Sequence, residues 1–327
     1  MRRIAAVLAT AALIAGCGDS GDSGGGSPPM EKVTYLTAFG AVGRDAFAWV
    51  ALEKGYFREA GIDVTIRLGA ATSENLKVLA AGQAQFAHLD LTGTWILAGK
   101  GQYKDIRAIA AVHQQSLVSI VALEGSGITK PTDLEGREVG AATGSVNQML
   151  FPAYAKLAGI DPAKVRWVNA RPAQLPTLLA SGQVDALSTF LIGAKGIEKA
   201  AGGKKAVVLP YSRYLPELFG NGIIAPTKIL LEQPELAGRF RDAALKGLRY
   251  TLDHPDEAAQ ILKKAQPAAD LTAAAGEITL MAPYVKPSGV IDRQRVSQAI
   301  ATLEAGGLIP PGLTPESVVD FALAPMG

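Results

Sequence analysis

The stretch Val78-Leu79-Ala80-Ala81-Gly82-Gln83 recurs one hundred positions later as Leu178-Leu179-Ala180-Ser181-Gly182-Gln183. Each copy reads as the end of a helix. Apolar residues pack it on a sheet, and the glycine permits the left-handed turn that stops it. A strand-like run follows in both cases, AQFAHL (84–89) and VDALSTF (184–190). Helix-glycine-strand corners resemble one another, so a local coincidence is one reading. The other is two similar lobes. It gains weight from what precedes each copy: a strand-helix unit, IDVTIRL (62–68) before the first and VRWVNA (165–170) before the second.

Working outward, short β-type runs alternate with helical ones, the pattern of a mostly parallel sheet flanked by helices. KVTYLTAF (32–39) predicts a strand, RDAFAWVALEKGYF (44–57) a helix stopped at Gly55, and TSENLKVLAAG (72–82) a helix capped by Thr72 or Ser73. LVSIVAL (117–123) opens the second lobe, and SVNQMLFPAYAKLAGI (145–160) is a helix with Ser145 as its cap. KKAVVLPYSRY (204–214) leads back to NGIIA (221–225), and the remainder to Gly327 is nearly all helical. The expected division is lobe 1 over 32–122 plus 222–327 and lobe 2 over 123–221. The chain would cross between them near 123–126 and 210–221. The fold class expected is α/β and two-lobed, each lobe a mostly parallel sheet flanked by helices, with a helical C-terminal tail.

The chain of 327 residues has a single cysteine, Cys17. Met1-Arg2-Arg3 precedes an apolar run from Ile4 to Ala15, the layout of an export signal, too short to span a bilayer. Ile14-Ala15-Gly16-Cys17 resembles the bacterial lipobox, which implies a signal peptide over 1–16 and a lipidated Cys17. Residues 17–31 are rich in Gly, Ser and Asp with a Pro-Pro pair, a tether composition. The mature protein is therefore expected outside the cell, held to the membrane through its lipid alone. With 32 basic and 30 acidic residues, the charge of +2 points to no nucleic acid partner. One cysteine allows no disulfide framework, and His88, His113 and His254 are too scattered in sequence to suggest a zinc site. No metal or cofactor is expected.

Gly55-Tyr56-Phe57 followed by REAGIDV, the twin Ala-x-Gly-Gln and Ser-Gly-Gln corners, GSGITKPTDLEGREVG (125–140) and FGNGIIA…QPELAGRF (219–240) resemble the solute-binding receptors of bacterial ABC importers. The resemblance is to the sulfonate, nitrate, taurine and thiamine-pyrimidine group, described as NMT1- or thiamine-precursor-synthase-like. It implies a monomeric receptor whose cleft closes on one small molecule before docking on a permease served by an ATPase. A sensor handing its closed form to a membrane kinase would share all these features. In pyrimidine-binding members a histidine sits about a dozen residues before the Phe of Gly-Tyr-Phe; here that position is Asp45. The family also contains a synthase that donates a histidine ring from its own chain. The corresponding position here is Gly93, and the cysteines of that synthase have no counterpart around FGNGIIA. The expectation is a binding protein, not an enzyme.

Candidate ligand-binding residues follow from where strands end and helices begin. Phe39 and Asp45 flank the glycines after the first strand. Asp90 opens the helix that carries Trp95, where helix cap and core packing are the bland alternatives. Thr143, Gly144 and Ser145 join a strand's carboxyl end to a helix start, so that hydroxyls and amides converge there. Thr189 stands in the equivalent place after the repeated corner, and Asn221 follows the second crossing. Tyr56 and Phe57 read as packing residues, and His113-Gln114-Gln115-Ser116 as a turn between strands.

Overall fold

A computed structural model describes residues 30–325; the expected signal and Cys17 lie outside the described residues. Among the described residues ten strands form two sheets. The first holds β1 (Glu31–Leu36), β2 (Ile62–Arg67), β3 (Phe86–Asp90), β4 (Ile106–Ala111) and β10 (Asn221–Pro226). The second holds β5 (Val118–Leu123), β6 (Glu138–Ala141), β7 (Arg166–Asn169), β8 (Ala186–Phe190) and β9 (Ala206–Pro210). Their orders are β2-β1-β3-β10-β4 and β7-β6-β8-β5-β9. Each sheet has parallel strands and one reversed member: β10 runs antiparallel to β3 and β4, and β5 antiparallel to β8 and β9.

The repeated corners that announce this architecture are built alike. Gly82 and Gly182 take φ of 69° and 74°. Gln83 N–H donates to the Val78 carbonyl at 3.1 Å, and Gln183 N–H to that of Leu178 at 2.9 Å. Glycine is needed at both because a Cβ strains this left-handed backbone. The strands after the corners end at equivalent points. The last residue of β3, Asp90, pairs with the first of β10, Asn221; the last of β8, Phe190, pairs with the first of β5, Val118.

The crossings lie at 112–117 and 211–220. The first falls earlier than the expected 123–126, because Val118–Leu123 already pairs within the second sheet. The Gly125 and Gly127 turn, with both φ positive, is a corner inside that lobe. The two crossings run side by side. Val112 and His113 N–H groups donate to the Asn221 carbonyl at 2.8 Å, Gly220 N–H to His113 O at 3.1 Å, and Ser116 N–H to Leu218 O at 2.8 Å.

Helices pack these sheets. Pro234–Asp253 and Pro255–Ala265 cover Ala46–Glu53 on the first lobe, where Phe240 stacks on Phe86 at 4.1 Å and on Phe57 at 5.2 Å. The helix expected within 44–57 runs Ala46–Glu53 and stops at Gly55, as expected, where φ is 75°; a short further helix, Tyr56–Glu59, follows. The helix Thr72–Ala80 starts from Ala71 with no side-chain cap, in place of the expected Thr72 or Ser73. In the tail, Leu271–Met281 touches both lobes: Gly43 packs against Ala274, and Asp270 pairs with Lys199. Arg295 stacks over Phe219 at 4.1 Å and donates to Gln114 Oε1 at 3.1 Å, so one tail residue grips both crossings. No helix among the described residues is long and apolar enough to cross a membrane.

Gly220 packs directly against the other crossing. A Cβ there would lie 2.6 Å from the Gln115 carbonyl oxygen and 2.8 Å from His113 Cβ. Gly220→Val should therefore destabilise the protein by about 1–3 kcal/mol in urea unfolding. A variant as stable as wild type would show that the paired crossings do not depend on that contact.

Candidate functional site

The carboxyl ends of β3 and β8 face one another across the paired crossings, and helices begin there. In the first lobe, Asp90 ends β3 and caps Leu91–Gly99, its Oδ1 accepting from Gly93 N–H at 2.8 Å. In the second, Ser145 precedes Val146–Ala158, and its hydroxyl makes no cap bond. Between them lies a cavity of about 20 Å³, room for one water-sized body. Ala38, Phe39, Arg44, Thr72, Leu89, Asp90 and Asn221 line it from the first lobe; Ser145, Val146, Asn147 and Phe190 line it from the second. Four of these residues bring buried polar atoms that have no protein partner: Arg44 Nε, Asp90 Oδ2, Ser145 Oγ and Asn147 Nδ2. Such atoms are rare in a folded interior, because each forfeits its hydration without return. Here they converge from both lobes.

The charges are set by burial. Asp90 is pushed up to about 7, chiefly by desolvation, against the opposing pull of the Gly93 and Thr92 N–H groups and the nearby Arg44. Arg44 is 4% exposed, with Cζ 4.4 Å from the Phe190 ring centre and 5.5 Å from that of Phe39. Below the cavity, Asp45 Oδ1 accepts from Ala38 N–H at 2.9 Å and meets His88 Nδ1 at 2.8 Å. The His88 and His113 rings are 5.8 Å apart. Burial pushes His113 well below its usual range, helped by His88 and Arg44, so its ring is neutral. Two histidines that are far apart in sequence thus meet in space, yet neither lines the cavity. Among the described residues no three or more His, Cys, Asp or Glu side chains are placed to hold a metal.

A second space adjoins the first, a groove of about 920 Å³ running between the lobes under the helix Leu271–Met281. Its walls include Leu68, Pro172, Leu175, Pro176, Ile197 and Ala273, and it shares Phe39, Arg44 and Phe190 with the inner cavity. Phe39 and Phe190 meet edge to face at 6.3 Å, with Arg44 against both rings. These three side chains form the wall between the two spaces.

Phe39, Asp90, Ser145 and Asn221 are brought together on the inner cavity. Thr189 instead faces the outer groove, because alternation along β8 turns its neighbour Phe190 inward. Thr143 is exposed, and Gly144, at φ 68°, backs onto Ser73 of the opposite lobe. Asp45 is committed to His88 in the floor. Trp95 does not reach the cavity; it is buried against Phe219, with ring centres 5.6 Å apart. Sequence reasoning missed Arg44 and Asn147. Arg44 is the one basic residue in the glycine-bearing loop after β1, which was the available signal; nothing in sequence singled out Asn147.

Two lobes of matched strand order, joined by paired crossings over a shared cleft, define the periplasmic-binding-protein-like fold. The chain belongs to the family described as NMT1/THI5 like, which matches residues 45–258. It is similar to the formylaminopyrimidine-binding protein of Halalkalibacterium halodurans, 28% identical over 217 residues, covering 66% of this chain and 65% of that one. The chain thus spans just under two thirds of that relative's length. It is also similar to the 4-amino-5-hydroxymethyl-2-methylpyrimidine phosphate synthase of Legionella pneumophila, 26% identical over 230 residues, covering 67% of this chain and 68% of that one. Among solved structures, the alkanesulfonate-binding protein SsuA of Xanthomonas axonopodis pv. citri bound to MOPS has a TM-score of 0.70 at 15% identity. That match covers 89% of this chain and 98% of SsuA.

The Asp90 carboxyl gives a signed pH effect. Folded, it keeps its proton up to about 7; unfolded, it ionises near 3.8. Its protonated form thus favours the folded state at low pH, and that contribution is lost as pH rises from about 4 to 7. Asp90→Asn cannot ionise and keeps a cap acceptor. It should match wild type near pH 4 and exceed it by about 1–4 kcal/mol at pH 8. Urea unfolding at both pH values tests this, and an unchanged difference between them would contradict it.

Proposed function

We propose that this chain is an extracytoplasmic solute receptor. It captures a small organic molecule between its lobes and presents the closed form to a membrane permease driven by an ATPase. One observation carries this reading: unpaired buried polar atoms from both lobes converge on one interlobe cavity. A solute seated there would satisfy groups that neither lobe satisfies alone, which ties capture to closure. The named function of the Halalkalibacterium relative supports it. The basic start, apolar run and lipobox-like Ile14-Ala15-Gly16-Cys17 support an exported, lipid-anchored protein.

A synthase among the relatives raises the enzymatic reading, and Gly93 argues against it. A Cβ at Gly93 would already lie 3.0 Å from Val146 Cβ in the other lobe, so this chain has neither a ring to donate nor space for one. His88 and His113 are fully buried and line neither the cavity nor the groove.

Native mass spectrometry of the purified chain should find one small molecule bound. Adding it back to stripped protein at a hundredfold excess over Kd should stabilise the fold by about 2.7 kcal/mol and reduce the radius of gyration in X-ray scattering. A stabilising molecule that leaves the scattering unchanged would remove the cleft as the capture site. Conversion of that molecule to a product would replace the receptor reading with the enzymatic one.

A further inference from the structure

The helix Leu271–Met281 is fastened to the first lobe along one side. A Cβ at Gly43 would lie 2.2 Å from the Ala274 carbonyl oxygen, and the Arg44 main-chain N–H donates to Glu277 at 3.3 Å. The turn before the helix is fastened too. Lys263 Nζ donates to the Pro267 and Ala269 carbonyls at 2.7 and 2.9 Å. The other side of the helix lies on the second lobe, along Ala194–Ala200, and small residues make that contact. A Cβ at Gly196 would stand 3.8 Å from Ala273 Cβ, and one at Gly276 3.8 Å from Lys195 Cβ. At the helix start, Asp270 Oδ1 accepts from the Ala273 N–H at 2.9 Å, while Oδ2 pairs with Lys199 Nζ at 2.5 Å. One carboxylate thus caps the helix and reaches the opposite lobe.

We propose that the contact between Leu271–Met281 and Ala194–Ala200 is a latch. It is made when the lobes close, is broken when they open, and sets the share of time that the cleft spends shut. Asp270, Ala273 and Glu277 line the outer groove from one lobe, and Gly196, Ile197 and Lys199 line it from the other. None of the residues of the two crossings lines that groove. Because the helix is bonded to one lobe and only packed on the other, rotation about the crossings parts it from Ala194–Ala200. Parting is easy. Glycine and alanine surfaces separate without a side chain leaving a socket, and the Lys199–Asp270 pair is exposed on both partners. An exposed pair contributes little in water and is weakened by salt. The latch rests on the receptor reading for its purpose: a hold this weak keeps a captured solute and still releases it.

Gly196→Cys with Ala273→Cys, in a Cys17→Ala background, sets two Cβ atoms at a separation that a disulfide spans without strain. Equilibrating this chain with 2-mercaptoethanol and its disulfide, a neutral couple, measures the effective molarity of the two thiols and so the closed population. The disulfide should form in the folded chain. Lys199→Glu puts two carboxylates face to face and should lower the effective molarity about fivefold. With Lys199 kept, ~0.5 M NaCl should lower it about twofold. Without the cysteines, Gly276→Phe should wedge the helix off Lys195 and increase the radius of gyration in X-ray scattering. Gly276→Ala, whose methyl fits the space, should leave the radius at its wild-type value, and urea unfolding of both variants checks that they fold. An effective molarity that neither Lys199→Glu nor salt changes overturns the latch. So does a folded Gly276→Phe chain no larger than wild type. None of these readouts uses a solute, so a failed latch leaves the receptor reading standing, and that reading fails separately if native mass spectrometry finds no bound molecule.

Discussion

The two crossings between the lobes are hydrogen-bonded to each other, and the rest of the structure is arranged around that ribbon. His113 and Gly220 exchange the chain's direction through a close backbone pairing that only glycine tolerates at 220. The strands the crossings feed, β5 and β10, each enter their own sheet antiparallel to their neighbours. That sets the ends of β3 and β8 at the ribbon, facing each other. Each lobe can then rotate about a short, shared axis without breaking its own sheet. The tail ties the same axis from outside, since Arg295 touches Gln114 in one crossing and Phe219 in the other.

From that placement the chemistry of the cleft follows. Strand ends and helix starts from both lobes meet in a buried space, where desolvation dominates. It lifts Asp90 towards neutrality, strips His113 of charge and leaves the Arg44 guanidinium against aromatic faces. A single-lobed protein would satisfy these groups internally or expose them. Here the partner of each lobe's polar groups is whatever lies between the lobes. Gly93 and Gly144 keep the opposing surfaces close, with Val146 and Ser73 directly across from them. Larger side chains at either position would hold the lobes apart.

The fold was legible because its signals are local. A glycine that must be left-handed after a helix, repeated at 82 and 182, is a backbone requirement that sequence displays openly. The ends of the strands were equally readable, and so Phe39, Asp90, Ser145 and Asn221 could be placed at the cleft. What sequence did not show depended on pairing at a distance. The crossing at 112–117 was placed too late because β5 looks the same whether it ends one lobe or begins the next. Trp95 and Phe219 choose each other across more than a hundred residues, and an apolar aromatic on a helix does not reveal whether it faces core or ligand. Arg44 was hidden for the same reason: a loop arginine is ordinarily solvated, and it is buried here by Phe39, Phe190 and the distant helix Leu271–Met281, which packs on its loop.

Closure about the ribbon is most directly measured as a distance between the lobes. With Cys17→Ala as background, cysteines at Lys77 and Leu157, exposed on helices of the first and second lobes, carry spin labels for pulsed electron paramagnetic resonance. Hinged capture requires a distance distribution with a longer and a shorter population, and a saturating solute must collect it into the shorter one. A single distribution that a stabilising solute leaves unmoved would contradict the hinge, and with it the assignment of the interlobe cavity as the place of capture.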